Sequence, residues 1–324
     1  MKMNKKVKTI GIVSIFIFVL NVYIIVHNNP LADQTQELLK KIVSCVILDI
    51  IYFFFIKYYD KMVILPVELY QNRKLIWKLA RSDFKTRYAG SYLGIFWAFV
   101  QPIVTIVVYW FVFQIGLRSG DVGDTPFVLW LVAGLIPWFF FSEALGGGTG
   151  AMLEYNYLVK KVVFKISILP IIKIISALFV HLFFVAFAVL LFACYRSEPD
   201  LYTLQVFYYT FCLFVFVLGL CYITCSVVVF FRDLSQIISI ILQIGIWATP
   251  IMWSLPMLPE KYHFIFKLNP LTYIVDGYRM AFIYKAWFWE RFYSTAYFWI
   301  VTLATFVFGA VIFKRLKIHF ADML

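Results

Sequence analysis

Long stretches without a charged residue constrain this chain more than any other feature. Seven stretches of at least 18 residues lack Asp, Glu, Lys and Arg: 9–26, 88–117, 125–142, 174–195, 201–231, 234–259 and 292–313. A helix needs about 20 apolar residues to cross the hydrocarbon core of a bilayer. An eighth stretch, 42–56, is interrupted by Asp49 alone. The pattern predicts an all-α polytopic membrane protein, and the composition of 63% hydrophobic and 14% charged residues fits that class.

The distribution of Lys and Arg predicts the orientation of these spans. With eight spans and an internal N-terminus, the internal segments carry 19 Lys and Arg residues and the external segments carry 9. Because basic residues are enriched in cytoplasmic loops, we expect both termini in the cytoplasm. The first two spans then form an uncleaved transmembrane hairpin over 1–60. The net charge of +12 does not indicate nucleic acid, since the basic residues lie between apolar spans.

A basic amphipathic segment precedes the first core span. Its basic residues recur at steps of four, three and four positions: Lys74, Lys78, Arg81 and Lys85. They therefore share one helix face, with apolar side chains opposite. The segment 61–87 is predicted to be a cytoplasmic helix lying on an anionic membrane surface. The alternative is a charge cluster that only fixes the orientation of the next span.

The remaining chain is predicted to be a six-span core over 88–313 with a cytoplasmic tail over 314–324. The longest irregular segment, 254–291, contains Pro256, Pro259 and Pro270 but is strongly apolar and aromatic. Such an external segment is better accommodated inside the membrane than in water. We expect re-entrant helices at about 256–285, and a plain loop is the alternative.

The sequence offers little for catalysis. The glycine-rich GGGTG at 146–150 lacks the Lys-Ser/Thr of a phosphate-binding loop, and we interpret it as the end of a span that allows close helix approach or a hinge. No Walker segment occurs, so this chain is not expected to hydrolyse ATP. His181 is expected to be a hydrogen-bonded histidine between helices rather than a proton relay. The carboxylates Glu143, Glu154, Asp233 and Asp276 do not obviously converge. No catalytic residue, metal site or bound cofactor is predicted.

Several segments, in order, resemble one family. They are RSDFKTRYAGSYLGIFWAFVQPI at 81–103, GLIPWFFFSEAL at 134–145, RDLSQIISIILQIGIWATPIMW at 232–253 and LNPLTYIVDGYR at 268–279. Together with the C-terminal FKRLKIHFADML they resemble the ABC-2 type permeases that export bacterial polysaccharides, including O-antigen, capsule and teichoic acid, over about 69–324. One departure is FKIS at 164–167, where the family usually has Phe-Pro-x-Glu.

The resemblance implies a function and its partners. It implies a homodimer in the bacterial cytoplasmic membrane that exports lipid-linked polysaccharide and pairs with two copies of a separate ATPase subunit, which binds ATP and Mg²⁺. An ABC-2 exporter of another amphiphile, such as a drug or lipid, is the first alternative. A membrane glycan-modifying transferase is the second.

The resemblance also implies roles for segments and residues. Residues 69–87 resemble the interface helix, 154–164 the coupling helix and 256–285 the external gate helices. The residues expected to couple to the ATPase are Glu154, Tyr157, Leu158, Lys160, Lys161, Arg232 and Asp233.

Aromatic side chains suit a sugar path because they bind the apolar faces of sugars without tight hydrogen bonding. The candidates for the channel wall are Trp97, Tyr109, Trp110, Phe113, Tyr222, Trp247 and Trp253. Lipid-facing or core positions are the alternative for each of them. The gate candidates are Met252, Leu258 and Tyr262. Some of the external cations Lys261, Lys267, Arg279 and Lys285 are hypothesised to meet phosphate or acidic sugars on the substrate, with neutralisation by Glu260, Asp276 and lipid headgroups as the alternative.

Overall fold

The structure is a computed structural model that describes residues 2–26, 34–87, 89–118, 120–160, 165–195 and 200–324. The chain divides into two compact units, Met1–Pro66 and Val67–Leu324. The boundary lies six residues beyond the predicted end of the N-terminal hairpin at residue 60. Within the described residues the regular structure is helical, apart from one isolated antiparallel bridge between Val122 and Thr125. The predicted all-α class is confirmed.

The first unit contains two long helices, α1 (Lys2–Val26) and α2 (Gln34–Met62). Polar side chains inside both apolar stretches join them. The hydroxyls of Ser14 and Tyr52 share a hydrogen bond, and Asn21 Nδ2 donates to Asp49 Oδ1 over 3.0 Å. These pairings run antiparallel, as in a hairpin. The carboxylate that interrupts the second apolar stretch therefore has a partner within the same unit.

The short helix α3 (Ile64–Gln71) spans the boundary between the units, and α4 (Arg73–Arg87) lies in the second unit. The sequence predicted one helix here, and the structure breaks it at Asn72. The helices that follow are α5 (Trp97–Trp110), α6 (Phe127–Glu154), α7 (Asn156–Val159), α8 (Leu169–Cys194), α9 (Gln205–Val228), α10 (Leu234–Ala248), α11 (Glu260–Lys267), α12 (Pro270–Arg279), α13 (Phe292–Leu316) and α14 (Phe320–Met323).

Five helical segments among the described residues are long and apolar enough to cross a membrane. They are Gly94–Gly116, Phe127–Glu154, Ile166–Cys194, Leu201–Val228 and Phe288–His319. These segments include α5, α6, α8, α9 and α13, and they fit a multi-pass membrane protein.

The predicted span 234–259 is different, because its helix α10 has 15 residues and stops at Ala248. At 1.5 Å per residue α10 is about 22 Å long, less than the hydrocarbon thickness of about 30 Å. The chain continues through an irregular segment into α11 and α12, where the sequence predicted re-entrant helices.

Helix α6 lies at the centre of the second unit. In its most apolar window 78% of the residues are buried, whereas the corresponding value for the span containing α5 is 11%. Helix α6 packs against α8 and α9, and α9 packs against α13. Because α6 is enclosed by protein, its apolar side chains form the core, and α5 presents most of its surface outward.

Glycines allow two of these helix pairs to approach closely. The GGGTG segment does not end a helix as predicted, because α6 continues through it to Glu154. A Cβ atom placed on Gly148 would collide with Cys221 Sγ and lie 3.1 Å from Cys221 Cβ on α9. Between α9 and α13, a Cβ atom on Gly309 would lie 2.5 Å from the carbonyl oxygen of Gly219. Small residues let membrane helices pack backbone to backbone in this way.

Gly148→Ala is expected to destabilise the protein by about 1–3 kcal/mol, because the added methyl group overpacks the contact between α6 and α9. Gly150→Ala is the matched control, since a Cβ atom there meets nothing within 4 Å. Thermal unfolding in detergent would measure both variants. Adding Cys221→Ala to Gly148→Ala should restore part of the loss. Equal stability of the two single variants would contradict the close approach.

Candidate functional site

Five charged side chains surround a cavity of about 580 Å³ in the second unit. We call them the polar cluster: Asp83, Arg87, Glu143, Glu154 and Lys173. Asp83 and Arg87 lie one turn apart on α4, the two glutamates lie on α6, and Lys173 lies on α8. Three helices that are distant in sequence therefore bring their charges to one place.

Lys173 is the centre of the polar cluster. Its Nζ atom donates to Asp83 Oδ1 and to Glu154 Oε1, each over 2.6 Å, and it lies 5.0 Å from the centre of the Tyr155 ring. The side chain of Lys173 is only 5% exposed. A buried ammonium group is costly unless carboxylates compensate it, and these contacts provide the compensation.

Asp83 is the buried carboxylate of the polar cluster. In addition to Lys173 it accepts a 2.5 Å hydrogen bond from the hydroxyl of Tyr155, and Arg87 Nη2 lies 3.5 Å from its second oxygen. Burial alone would raise the pKa of Asp83, but the hydrogen bonds from Lys173 and Tyr155 outweigh it and hold that pKa below its usual value. Burial and the neighbouring Asp83 raise the pKa of Tyr155, so its phenol remains a donor.

Arg87 completes the polar cluster by pairing with Glu143 as well. The sequence-based expectation that Glu143 and Glu154 do not converge is wrong, because both line the same cavity. They are 11 residues apart, which is about three turns of an uninterrupted helix and places them on one face. The predicted span ends at residue 142, before the glycines, whereas α6 continues to Glu154 and so carries both glutamates.

Each carboxylate of the polar cluster is held by a cation. A general acid or base must be free to exchange a proton with a substrate. The arrangement instead joins α4, α6 and α8 through charge-assisted hydrogen bonds. The polar cluster therefore ties these three helices together.

Helix α4 has the predicted amphipathic character. Its basic residues Lys74, Lys78, Arg81 and Lys85 are all exposed. On the opposite side Ile76 and Ala80 are buried, and Trp77 and Phe84 contact Phe179 of α8 edge to face. The apolar face thus packs against protein in this structure, where the sequence predicted a membrane surface.

The predicted coupling residues lie at two turns. Glu154 ends α6, and the four-residue helix α7 carries exposed Tyr157 and half-buried Leu158, followed by exposed Lys160. Lys161 lies outside the described residues, as does the rest of the predicted coupling helix up to 164. Arg232 and Asp233 are exposed between α9 and α10.

The predicted channel residues differ in their exposure. Trp97 and Trp247 are exposed, and the half-buried residues are Tyr109, Trp110, Phe113 and Trp253. Tyr222 is fully buried instead: its hydroxyl donates to the Ser167 carbonyl over 2.9 Å, and its ring packs edge to face on Phe313. Tyr222 is therefore a core residue and is withdrawn from the channel candidates.

The predicted gate residues also differ in exposure. Tyr262 is exposed and Leu258 is half-buried. Met252 is buried, with 3% exposure, so it is withdrawn as a residue that meets substrate in this conformation. Its neighbours Pro250 and Ile251 form the start of the irregular segment after α10.

Arg279 of α12 holds this irregular segment. Its guanidinium donates to the carbonyl oxygens of Pro250 and Ile251 over 2.7 and 2.8 Å, and it lies 3.4 Å from the centre of the Trp130 ring. The residue is buried, so among the four cations considered for anionic substrate Arg279 is not accessible in this conformation. Backbone carbonyls that leave a helix need such a donor when water is excluded.

His181 was expected to be hydrogen-bonded between helices, and this is confirmed. Its Nε2 atom lies 3.1 Å from Thr210 Oγ1 and 2.9 Å from the hydroxyl of Tyr278. The three residues lie on α8, α9 and α12. This buried polar contact therefore connects α12 to the core.

The comparisons with known proteins agree on one family. The model of the ABC-2 type transporter family matches residues 74–283. The chain is 30% identical over 223 residues to an O-antigen export system permease protein, RfbA, of Myxococcus xanthus, covering 68% of this chain and 85% of the relative. It is 27% identical to an RfbA of Klebsiella pneumoniae over 76% of this chain and 93% of the relative. It is also 25% identical to the polysialic acid transport protein KpsM of Escherichia coli, over 72% and 89%.

Arg279→Met is expected to destabilise the protein by about 3 kcal/mol, because it leaves two carbonyl groups without their buried donor. Lys285→Met is the matched control, since Lys285 is half exposed and pairs with Asp200 over 2.9 Å. An exposed pair contributes about 0–1 kcal/mol. Unfolding in lipid nanodiscs would compare the two. Equal losses would show that Arg279 does not hold the irregular segment.

Proposed function

This chain belongs to the ABC-2 type transporter family, and we propose that it is the transmembrane subunit of an ATP-driven exporter of lipid-linked cell-surface polysaccharide. The observation that carries the proposal is the similarity to O-antigen and polysialic acid export permeases over 85–93% of their length. The family match covers both α4 and the helices around the irregular segment. The proposed location is the bacterial cytoplasmic membrane, with both termini in the cytoplasm.

A second copy of the chain is the proposed partner in the membrane. Of the 14 residues of α5, Ala98 and Ile106 are the buried ones, and Ile238 is the buried residue of α10. The outward surfaces of both helices also carry polar side chains, including exposed Gln101 and Gln243. Exposing amides to lipid is unfavourable, so these surfaces suit a dimer that encloses a polar path.

The wall of this path is proposed to be aromatic. The residues that remain as candidates are Trp97, Tyr109, Trp110, Phe113, Trp247 and Trp253. All lie on α5, on its immediate continuation, or at α10 and the segment after it. Aromatic rings bind the apolar faces of pyranoses while leaving the chain free to slide. Leu258 and Tyr262 are the proposed external gate.

The energy for transport is proposed to come from two copies of an ABC ATPase subunit that binds ATP and Mg²⁺. Contact with this subunit is assigned to residues 154–161 and to Arg232 and Asp233. The basic face of α4 is a further contact, because four exposed cations on one helix face suit either an acidic protein surface or anionic lipid.

The proposal predicts that this chain co-purifies with an ABC ATPase subunit from its own cell and that lipid-linked glycan raises the ATPase turnover of the reconstituted complex. Deletion of the gene should leave the glycan on the inner side of the membrane. The readouts are ATP hydrolysis in proteoliposomes and surface labelling of glycan in cells. Turnover that responds to drugs or simple lipids but not to glycan would contradict the proposal, as would glycan modification by the isolated chain.

Reversing the basic face of α4 with Lys74→Glu, Lys78→Glu, Arg81→Glu and Lys85→Glu is expected to weaken co-purification with the ATPase at least tenfold. The control reverses the exposed cations at the end of α13 and just beyond it: Lys314, Arg315 and Lys317. Both variants should insert in the membrane equally well. If the α4 variant still binds the ATPase but its spans insert in the wrong orientation, the basic face binds lipid and its assignment to the ATPase is wrong.

A further inference from the structure

We propose that Lys173 is a positioning residue that transmits motion from the end of α6 to α4 by exchanging partners within the polar cluster. The inference rests on the proposed function, because it assumes that an ATPase subunit acts on the turn after α6. It adds a route from that turn to the wall of the path. No group that contacts nucleotide or glycan is involved.

The partners of Lys173 belong to different elements and differ in their burial. Asp83 on α4 is 3% exposed, and Glu154 at the end of α6 is 58% exposed. A buried ion pair is strongly destabilised when one partner is removed, whereas an exposed pair is worth about 0–1 kcal/mol. Lys173 therefore keeps Asp83 as its lasting partner, and Glu154 is the partner that can be released.

The charge balance of the polar cluster favours exchange. Three carboxylates share two cations, so each cation lies between two acceptors. Lys173 lies between Asp83 and Glu154, and Arg87 lies between Asp83 and Glu143. When Lys173 releases Glu154, the lysine ammonium pairs with Asp83 alone. The hold of Asp83 on Arg87 then weakens, Arg87 shifts towards Glu143, and this changes how the end of α4 is held.

The cavity provides room for this rearrangement. Gly146 and Gly147 form part of its wall, and a Cβ atom on Gly146 would meet nothing within 4 Å. On Gly147 the nearest atom would be Lys173 Cβ at 3.7 Å. Protein interiors are otherwise close-packed, so an open volume beside charged side chains permits them to change rotamer.

The connections on either side of the polar cluster give the exchange a direction. Glu154 is followed at once by Tyr155, which donates to Asp83, and then by α7. A displacement of α7 would move two groups that bind the polar cluster. On the other side α4 leads through a short connection into α5 and the candidate wall residue Trp97. Motion can thus pass from α7 to α4 through the hydrogen bonds of the polar cluster, and from α4 to α5 along the chain.

The test measures glycan exported per ATP hydrolysed by the reconstituted complex with its ATPase. Lys173→Met should lower this ratio at least tenfold, and Lys173→Arg, which keeps the charge, should recover most of it. Glu154→Gln removes one exposed charge without burying an unpaired one, and it should lower the ratio at least threefold. Lys314→Met, an exposed lysine at the end of α13, is the control and should match the wild type.

The proposed exchange also predicts that the lysine must be at position 173 and the aspartate at position 83. The double variant Asp83→Lys with Lys173→Asp restores opposite charges at both positions but places the lysine on α4, away from Glu154. It should assemble with the ATPase better than either single variant and still export poorly. A merely structural tether would regain export along with assembly, and that result would overturn the inference.

The outcomes separate this inference from the proposed function. If the wild-type complex does not hydrolyse ATP in response to lipid-linked glycan, the proposed function fails. If it does and Glu154→Gln keeps the wild-type export ratio, the inference alone is wrong. Glu154→Gln keeps the inference testable even if Lys173→Met fails to fold, because Glu154 is an exposed residue at a helix end. Since Glu154 is also a proposed ATPase contact, a lowered ratio supports the inference when the variant still co-purifies with its ATPase, and loss of the ATPase together with export would count against it.

Discussion

The exclusion of water from a bilayer is the constraint on which the rest of this structure depends. Every backbone amide within the hydrocarbon must find its partner inside the protein, which is why the described chain is built from helices. Where a helix ends early, a side chain must replace the lost partners. Arg279 does so for the carbonyls of Pro250 and Ile251 after α10. A buried cation is therefore the consequence of a helix that is too short to cross.

The same constraint explains the polar cluster. Asp83 and Lys173 are buried where α4 meets α6 and α8, and their charges satisfy each other instead of water. Such pairs contribute little to stability compared with apolar packing, but they are selective for partner and geometry. Charged contacts between α4, α6 and α8 thus suit a joint that must hold and also rearrange, whereas the apolar contacts of Ile76 and Ala80 suit a joint that stays fixed.

Local sequence patterns predicted the helices and the irregular segment, which depend on residues that are close together in the chain. The charge-free stretches predicted the apolar helices, the spacing of the basic residues predicted the amphipathic α4, and the prolines predicted the irregular segment after α10. The polar cluster could not be predicted, because Asp83, Glu143 and Lys173 meet only through tertiary packing. Tyr222 was misassigned for a related reason: an aromatic residue in an apolar helix has the same appearance in sequence whether it faces a path, lipid or the core.

The glycine contact between α9 and α13 has a consequence for how the molecule can deform. With Gly309 against the Gly219 carbonyl, the two backbones touch without intervening side chains, and sliding one helix past the other would drive Phe306 into the Gly219 backbone. We therefore expect α9 and α13 to move as one body during transport. Displacement of the outward-facing α5 and α10 would then be taken up mainly by the segments that connect them to the rest of the second unit.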